Sequence, residues 1–404
     1  MSKKRYKIGI IVYDLYINGG TQREALELAK ELENRGHKVK IYGFNFNPEN
    51  CYPGLSSKVK IKYLSPKKPR IFTSQSLWLR IPYFFIELIL THWKAWKLSL
   101  LIDADTDIVN PHFYSLEAAY FFKLRHPKIK IVWLSLEAPG AESNIRLIKA
   151  NKASLIRRLH VRFEILRYQL MVKKVDAITV NDNREKLLHS EIFNRDVIIV
   201  HSGVDVEQFR PPNEKKDNNF LKILLIGVLF PSRRFEDAIL AFKIVKEHGY
   251  NSTLTIVGND LIRPDYNVFL RNLISKNGLD KDIVFLKEVD DESLVGLYQK
   301  SDVFIWPCDG NTYGLVALEA MACSLPVIVS DTAGVAGDLS EERGAFIVPV
   351  CRPDLIAQKL IFLISNPNIR KDMGLKARKF IENYMTWGKF TDRMENVFDG
   401  ILNN

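Results

Sequence analysis

Two arginines stand side by side at Arg233 and Arg234, in GVLFPSRRFEDAI (227–239), where a β-branched apolar run gives way to a helical pattern. Fixed cations at the carboxyl end of a strand can neutralise a pyrophosphate leaving group. A basic pair on a solvated loop would read the same way. Further on, SDVFIWPCDGNTYGLVALEAMACSLPVIVSD (301–331) reads as strand, tight loop, helix and strand. Thr312, Tyr313, Gly314 and Leu315 would there present backbone N–H groups at a helix N-terminus, a seat for phosphate. Glu319 lies about two turns into that helix. An ionised carboxylate only accepts hydrogen bonds, so it can take two from a ribose diol. Near the start, Gly19-Gly20 follows the first strand and opens the first helix, where backbone can approach an anion closely. Many α/β proteins turn on glycine without any ligand. No GxGxxG follows the first strand of either half, which counts against a dinucleotide-dependent oxidoreductase.

The elements that must position these residues alternate strand and helix throughout, the pattern of parallel sheets covered by helices. In the first half the strands read KIGIIVYDL (7–15), KVKIYGF (38–44), DIVNPH (107–112), KIVWLSL (130–136), AITVN (177–181) and VIIVHSG (197–203). The pattern restarts with KILLIGVLF (222–230), STLTIVGND (252–260), DIVFLKEV (282–289), DVFIWPC (302–308), LPVIVSD (325–331) and GAFIVPV (344–350). Between the sets, VDVEQFRPPNEKKDNNF is a polar linker with two prolines. The expected fold class is therefore α/β: two doubly wound Rossmann-like domains facing each other across a cleft, with ligands at the strands' carboxyl ends.

A chain of 404 residues is too long for one core. Its four cysteines lack CxxC spacing, so neither a zinc site nor a disulfide framework is indicated, and a reducing cytosol is the expected compartment. The N-terminus lacks a signal-peptide apolar core, and no uncharged apolar run is long enough to span a bilayer. Charge is uneven. Residues 1–212 carry 35 Lys+Arg against 21 Asp+Glu, a net of +14, while residues 213–404 carry 23 against 26, a net of −3. Such asymmetry points to an anionic partner, if it is more than a lysine-rich solvated surface.

The block 301–331 resembles the signature of the family 4 retaining glycosyltransferases, P-S-x-x-E-G-F-G-L-x-x-L-E-A-M-A-x-G-x-P-V. Other pieces agree in order: GGTQREALELAKELENRGHKV with the first glycine loop and helix, VIIVHSGVDVEQFRP with "NGvDxxxF.P", SRRFEDAILAF with the phosphate-binding "Kg.d.li.A", and LTIVGND with "l.ivG.g". The resemblance covers nearly the whole chain and is strongest over 197–350. It implies a GT-B fold, with an acceptor domain over 1–205, a nucleotide-sugar domain over 206–385, and a last helix (386–404) crossing back to the first. It implies sugar transfer from a nucleotide-sugar donor with retention, to a glycan or lipid-linked acceptor, with no metal or other cofactor. On this reading Arg234 matches the phosphate-binding lysine, with Arg233 beside it. The backbone of Thr312–Leu315 cradles the distal phosphate, Glu319 takes the ribose, Leu286–Val289 reads the base, and Gly19-Gly20 closes on the donor. Three positions depart from the pattern. Asn311 replaces the first glutamate of the Glu-x7-Glu pair, Val228 replaces an arginine, and Leu136 replaces a histidine in VWLSLEAP, which keeps Glu137. An unusual donor sugar accounts for Asn311; lost activity, leaving a binding or scaffold partner of a transferase, would account for all three.

Two stretches bear on the acceptor. Within LWLRIPYFFIELILTHWKAWKLSLL (77–101), Ile89, Trp93, Trp96 and Leu100 form an apolar stripe, and residues 144–174 hold nine Lys+Arg against the single acid Glu164. Both suit peripheral contact with an anionic membrane at its cytosolic face, or else a core helix pair and a solvated basic face. Nucleic acid is not expected, because no recognised binding fold appears. His112 and Glu137, each at a strand end, are candidate acceptor groups, and His112 is equally a structural histidine.

Overall fold

The computed structural model describes residues 4–16, 18–65, 77–140, 154–213, 220–259, 263–287, 289–310 and 312–403. The chain divides into two compact units, Met1–His201 with Phe390–Asn404, and Ser202–Lys389.

The first unit is built on a seven-stranded, all-parallel sheet in the order β3-β2-β1-β4-β5-β6-β7. Its strands are β1 (Lys7–Val12), β2 (Lys38–Phe44), β3 (Ile61–Leu64), β4 (Ile108–Pro111), β5 (Lys130–Leu134), β6 (Ala177–Val180) and β7 (Ile198–Ile199). The central strands are near-continuous apolar runs because helices cover both faces. The C-terminal helix Trp387–Leu402 is tied to this unit by charge and hydrogen bonding. Arg35 reaches Asp392 at 2.7 Å and Glu395 at 2.5 Å, the His37 ring bonds Glu395 at 2.9 Å, and the Tyr6 hydroxyl donates to Asp399 at 2.5 Å. Burial and that carboxylate raise the Tyr6 phenol to about 12, so it stays a donor.

The second unit has a six-stranded parallel sheet in the order β10-β9-β8-β11-β12-β13. Its strands are β8 (Leu221–Ile226), β9 (Ser252–Val257), β10 (Ile283–Leu286), β11 (Val303–Trp306), β12 (Val327–Ser330) and β13 (Ala345–Val348). The order reverses between β8 and β11, and that switch point opens a crevice beyond their carboxyl ends. Both sequences that could do chemistry, 227–239 and 307–319, emerge there. Crossovers between parallel strands of one sheet are right-handed as a rule, and the strand orders of both units are read on that basis.

Candidate functional site

In the second unit Arg233 and Arg234 part company. The loop after β8 makes one short turn, Pro231–Arg233, before the helix Phe235–Glu247. Arg234 caps that helix in the left-handed region at φ +54°, a conformation that favours glycine. Its guanidinium turns back along the helix, donating to both oxygens of Asp237 at 2.9 and 2.8 Å and pairing with Glu236 at 2.9 Å. These carboxylates, Asp237 first, hold the arginine's charge more firmly than usual. Glu236 is fixed in turn by the Tyr266 hydroxyl, which also accepts from the Phe235 N–H at 3.0 Å. Arg234 is thus spent on its own helix.

Arg233 runs the other way, over the Trp306 ring at 5.6 Å, and donates to the Cys308 sulfur at 3.3 Å. Among the described residues no carboxylate pairs with it. The reading of Arg234 as the phosphate-binding lysine is therefore corrected: in the "Kg.d.li.A" register that ends on Ala241, Arg233 falls on the lysine and Arg234 on the glycine, as the left-handed φ at 234 requires.

The loop after β11 closes around the same spot. Its Asp309 N–H donates to the Ser232 carbonyl at 2.7 Å, joining it to the arginine loop. The Cys308 thiol donates to Gly310 O at 3.1 Å and lies 3.4 Å from the Thr312 hydroxyl, while the Cys308 carbonyl accepts from Ser330 and from Thr332 at 2.9 Å. Thr312 and Tyr313 give their carbonyls to the N–H groups of Gly334 and Val335 at 3.0 and 2.8 Å. Gly314 caps the helix Leu315–Ala322 at φ +107°, and a Cβ there would stand 3.2 Å from both the Trp306 Nε1 and a Val335 methyl. That indole N–H is buried without an acceptor. The Ala317 N–H closes back on the Gly314 carbonyl at 2.9 Å, while the N–H groups of Leu315 and Val316 come before the intrahelical ladder, with the positive end of the dipole behind them. Arg233, Thr312, Tyr313, Gly314 and Leu315 therefore gather around Trp306 and Cys308. Asn311 lies outside the described residues.

Glu319 stands one turn into the helix rather than two, because the helix starts at Leu315. It is buried, and one oxygen accepts the Tyr298 hydroxyl at 2.9 Å. Val289 and Leu286 line a cavity of about 940 Å³, along the helix Asp291–Lys300 and Glu207–Arg210, whose lining does not include Arg233, Arg234 or Glu319. Val228 is exposed.

In the first unit, Gly19 precedes the helix Gly20–Asn34, and a Cβ on it would come within 2.4 Å of the Gln22 side-chain oxygen. Behind this turn Gln22, Arg23 and Glu24 are buried; Gln22 donates to Asp14 O at 3.1 Å, and Asn181 donates to Glu24 at 3.2 Å. His112, 1% exposed, follows β4. Asn110 donates to Val132 O at 2.6 Å, which turns its amide oxygen to the His112 Nε2 at 2.9 Å and makes that nitrogen the protonated one. Burial lowers its pKa to about 3, so the ring is neutral, and its Nδ1 is enclosed without a partner. His112 reads as a structural histidine.

Glu137 is half-buried and accepts the Tyr114 hydroxyl at 3.2 Å. A network absent from the sequence reading holds its loop. His189 bonds the Ser135 hydroxyl at 2.7 Å through Nε2 and the Glu185 carbonyl at 2.8 Å through Nδ1, while Glu185 accepts the Ala138 N–H at 3.0 Å. Ser135 and His189 are wholly enclosed, so the trio is a strut and not a nucleophile. Its signal was present in DNRE (182–185), a capping box with His189 one turn beyond.

The chain is similar to known proteins over most of its length. Residues 205–380 match the family Glycosyl transferases group 1, and residues 18–208 match Glycosyltransferase Family 4. The capsular polysaccharide biosynthesis glycosyltransferase CapM of Staphylococcus aureus is 24% identical over 245 residues, which are 56% of this chain and 62% of CapM. The matched region is thus less than two thirds of that relative's length. A glycosyltransferase of Methanocaldococcus jannaschii is 24% identical over 97% of this chain and 91% of its own. Among solved structures, a Rickettsia africae glycosyltransferase superposes with a TM-score of 0.74 at 18% identity over all of both chains. Anabaena HepE, solved with UDP-glucose, gives 0.76 at 13% over 98% of this chain and all of its own. The fold class is α/β, GT-B, with two Rossmann-like domains. Because the two matches overlap at residues 205–208 and together run from residue 18 to 380, the chain belongs to the family 4 glycosyltransferases.

Proposed function

We propose that the chain moves a sugar from a nucleotide-sugar donor, with retention, to a glycan or lipid-linked acceptor at the cytosolic face of a membrane. The carrying observation is one arginine, Arg233, that has no carboxylate partner among the described residues and is set beside a glycine-capped helix N-terminus in the same crevice. When the bond between the anomeric carbon and the diphosphate breaks, negative charge grows on the departing phosphate. A fixed cation and oriented amides stabilise it there without reorganising. Arg233 and the 312–315 backbone supply that field, so the proposal calls for no metal. Gly314 lets the phosphate approach, Glu319 held by Tyr298 takes the ribose diol, and Leu286 with Val289 reads the base. Asn311 meets the donor sugar with an amide; within the first unit, Gly19-Gly20 and Glu137 are the candidate ligand groups. HepE's complex with UDP-glucose supports a donor of this class. A thermal-shift series with UDP, GDP, dTDP and ADP tests the reading: one nucleotide at a hundredfold excess over its Kd stabilises the chain by about 2.7 kcal/mol. No shift with any of the four sinks it.

A further inference from the structure

Three helices of the first unit, Leu77–Leu101, Leu116–Arg125 and Leu155–Val172, connect β3 to β4, β4 to β5 and β5 to β6. All three crossovers move the same way across the sheet, so right-handedness puts all three helices on one face. Glu117 on the middle helix joins its neighbours, 3.0 Å from the His92 ring and 3.8 Å from Arg167. Ala95, Leu98, Tyr168 and Met171 turn inward to the core.

The opposite sides of the outer two helices are apolar and exposed. Ile86, Ile89, Trp93, Trp96 and Leu100, spaced 3, 4, 3, 4, are 43–66% exposed. On the helix Leu155–Val172, Leu155, Leu159, Phe163, Leu166 and Leu170, spaced 4, 4, 3, 4, are 44–71% exposed. This second stripe sits on the helix that the sequence marks only as basic. An apolar surface of this extent marks an interaction site. Its border is cationic: Lys97 lies over the Trp93 ring at 3.8 Å, and Arg157, Arg162, Lys173 and Lys174 are exposed on or just past the other helix. Tryptophans beside ammonium groups suit a boundary that is apolar below and anionic above. A second copy would bring like charges together.

We propose that this face of the first unit lies on an anionic lipid bilayer, with both stripes at the headgroup–acyl boundary and the flanking cations against lipid phosphates. The proposal deepens the functional reading by giving the place where a lipid-linked acceptor is met. Vesicle binding is read without donor or turnover, so either can fail alone. The test is flotation of the full chain with phosphatidylcholine vesicles, neutral or with about a third phosphatidylglycerol, for wild type, W93S/W96S, L159S/F163S and R157Q/R162Q. Circular dichroism checks that each variant folds. Wild type is expected to float with anionic vesicles only, and each pair of substitutions to weaken binding about tenfold or more. Failure of wild type to bind, or serine variants that bind undiminished, overturns the proposal. The 3, 4 spacing also fits a coiled-coil seam. A wild-type dimer in sedimentation that W93S/W96S makes monomeric, with no vesicle binding by either, would assign the face to a second copy and overturn it as well.

Discussion

The two adjacent arginines should fail in opposite ways. Arg233→Ala removes a guanidinium that faces the crevice and, among the described residues, partners a thiol and an indole ring. Loss of one such stabilising group costs about 10²–10³-fold in turnover, or about 2.7–4 kcal/mol of transition-state energy, with stability changed by about 0.5 kcal/mol or less. Arg234→Ala leaves Asp237, whose side chain is 3% exposed, without its bidentate partner. A fully buried carboxylate so stranded costs about 3–5 kcal/mol. Arg234 itself is 28% exposed, so water replaces part of the interaction and about 2 kcal/mol is expected. Arg234→Gly loses the same pair but relieves the left-handed backbone at φ +54°, which recovers about 1 kcal/mol. Urea unfolding of the full chain should thus order the variants as Arg233→Ala, Arg234→Gly, Arg234→Ala, from most to least stable. Nucleotide release from the cognate nucleotide-sugar should rank Arg233→Ala far below both others. If Arg234→Ala loses turnover as Arg233→Ala does while keeping wild-type stability, the division of labour is refuted.

Three further outcomes follow from the same geometry. Gly314→Ala forces a left-handed alanine against Trp306 and Val335, and should cost about 1–2 kcal/mol of stability and abolish the nucleotide-induced thermal shift; an intact shift would mean that backbone does not meet the ligand. Tyr298→Phe removes one donor that orients Glu319 and should raise the KM for the nucleotide-sugar several-fold at unchanged kcat, the signature of lost ground-state binding; a matching fall in kcat would place Glu319 in the chemistry. Burial depresses His112 to about 3 and His189 to about 4, below the unfolded value near 6.5. The unfolded chain therefore binds more protons in this window. Each contributes stability that is complete above about pH 6.5 and lost as pH falls toward its folded value, by up to about 1.4 kcal/mol per pH unit. Urea midpoints taken from pH 7 to 5 should fall less steeply for His112→Asn; an unchanged slope would contradict the burial.

The alternation of strands was legible because buried parallel strands are unbroken apolar runs, and twelve of the thirteen strands among the described residues were read within a few residues. The missed one, β3, is an edge strand whose Ile61–Leu64 segment carries a lysine and is nowhere fully buried, so its sequence resembles a loop. At the candidate site the spacing from Gly314 to Glu319 was readable, since a glycine-capped helix advertises itself. The assignment between Arg233 and Arg234 was not. It depends on a φ angle and on Asp237 and Glu236, which one helical turn brings back onto Arg234. His112 was open on sequence because a strand-end histidine looks the same whether or not Asn110 and burial have neutralised it.

The clasp between Tyr6, Arg35 and His37 and the helix Trp387–Leu402 bears on the order of events at synthesis. Ser202–Lys389 separate that helix from the rest of its unit, so 188 residues must be made before the clasp can close. At about 5–20 residues per second, the first unit waits roughly 10–40 s for its last partner. During that interval the acids that satisfy Arg35 and His37 do not yet exist. The second unit, contiguous in the chain, has no such delay. A nascent chain stalled before residue 390 should therefore expose a finished second unit and an unlatched first one, the state in which a chaperone would find it.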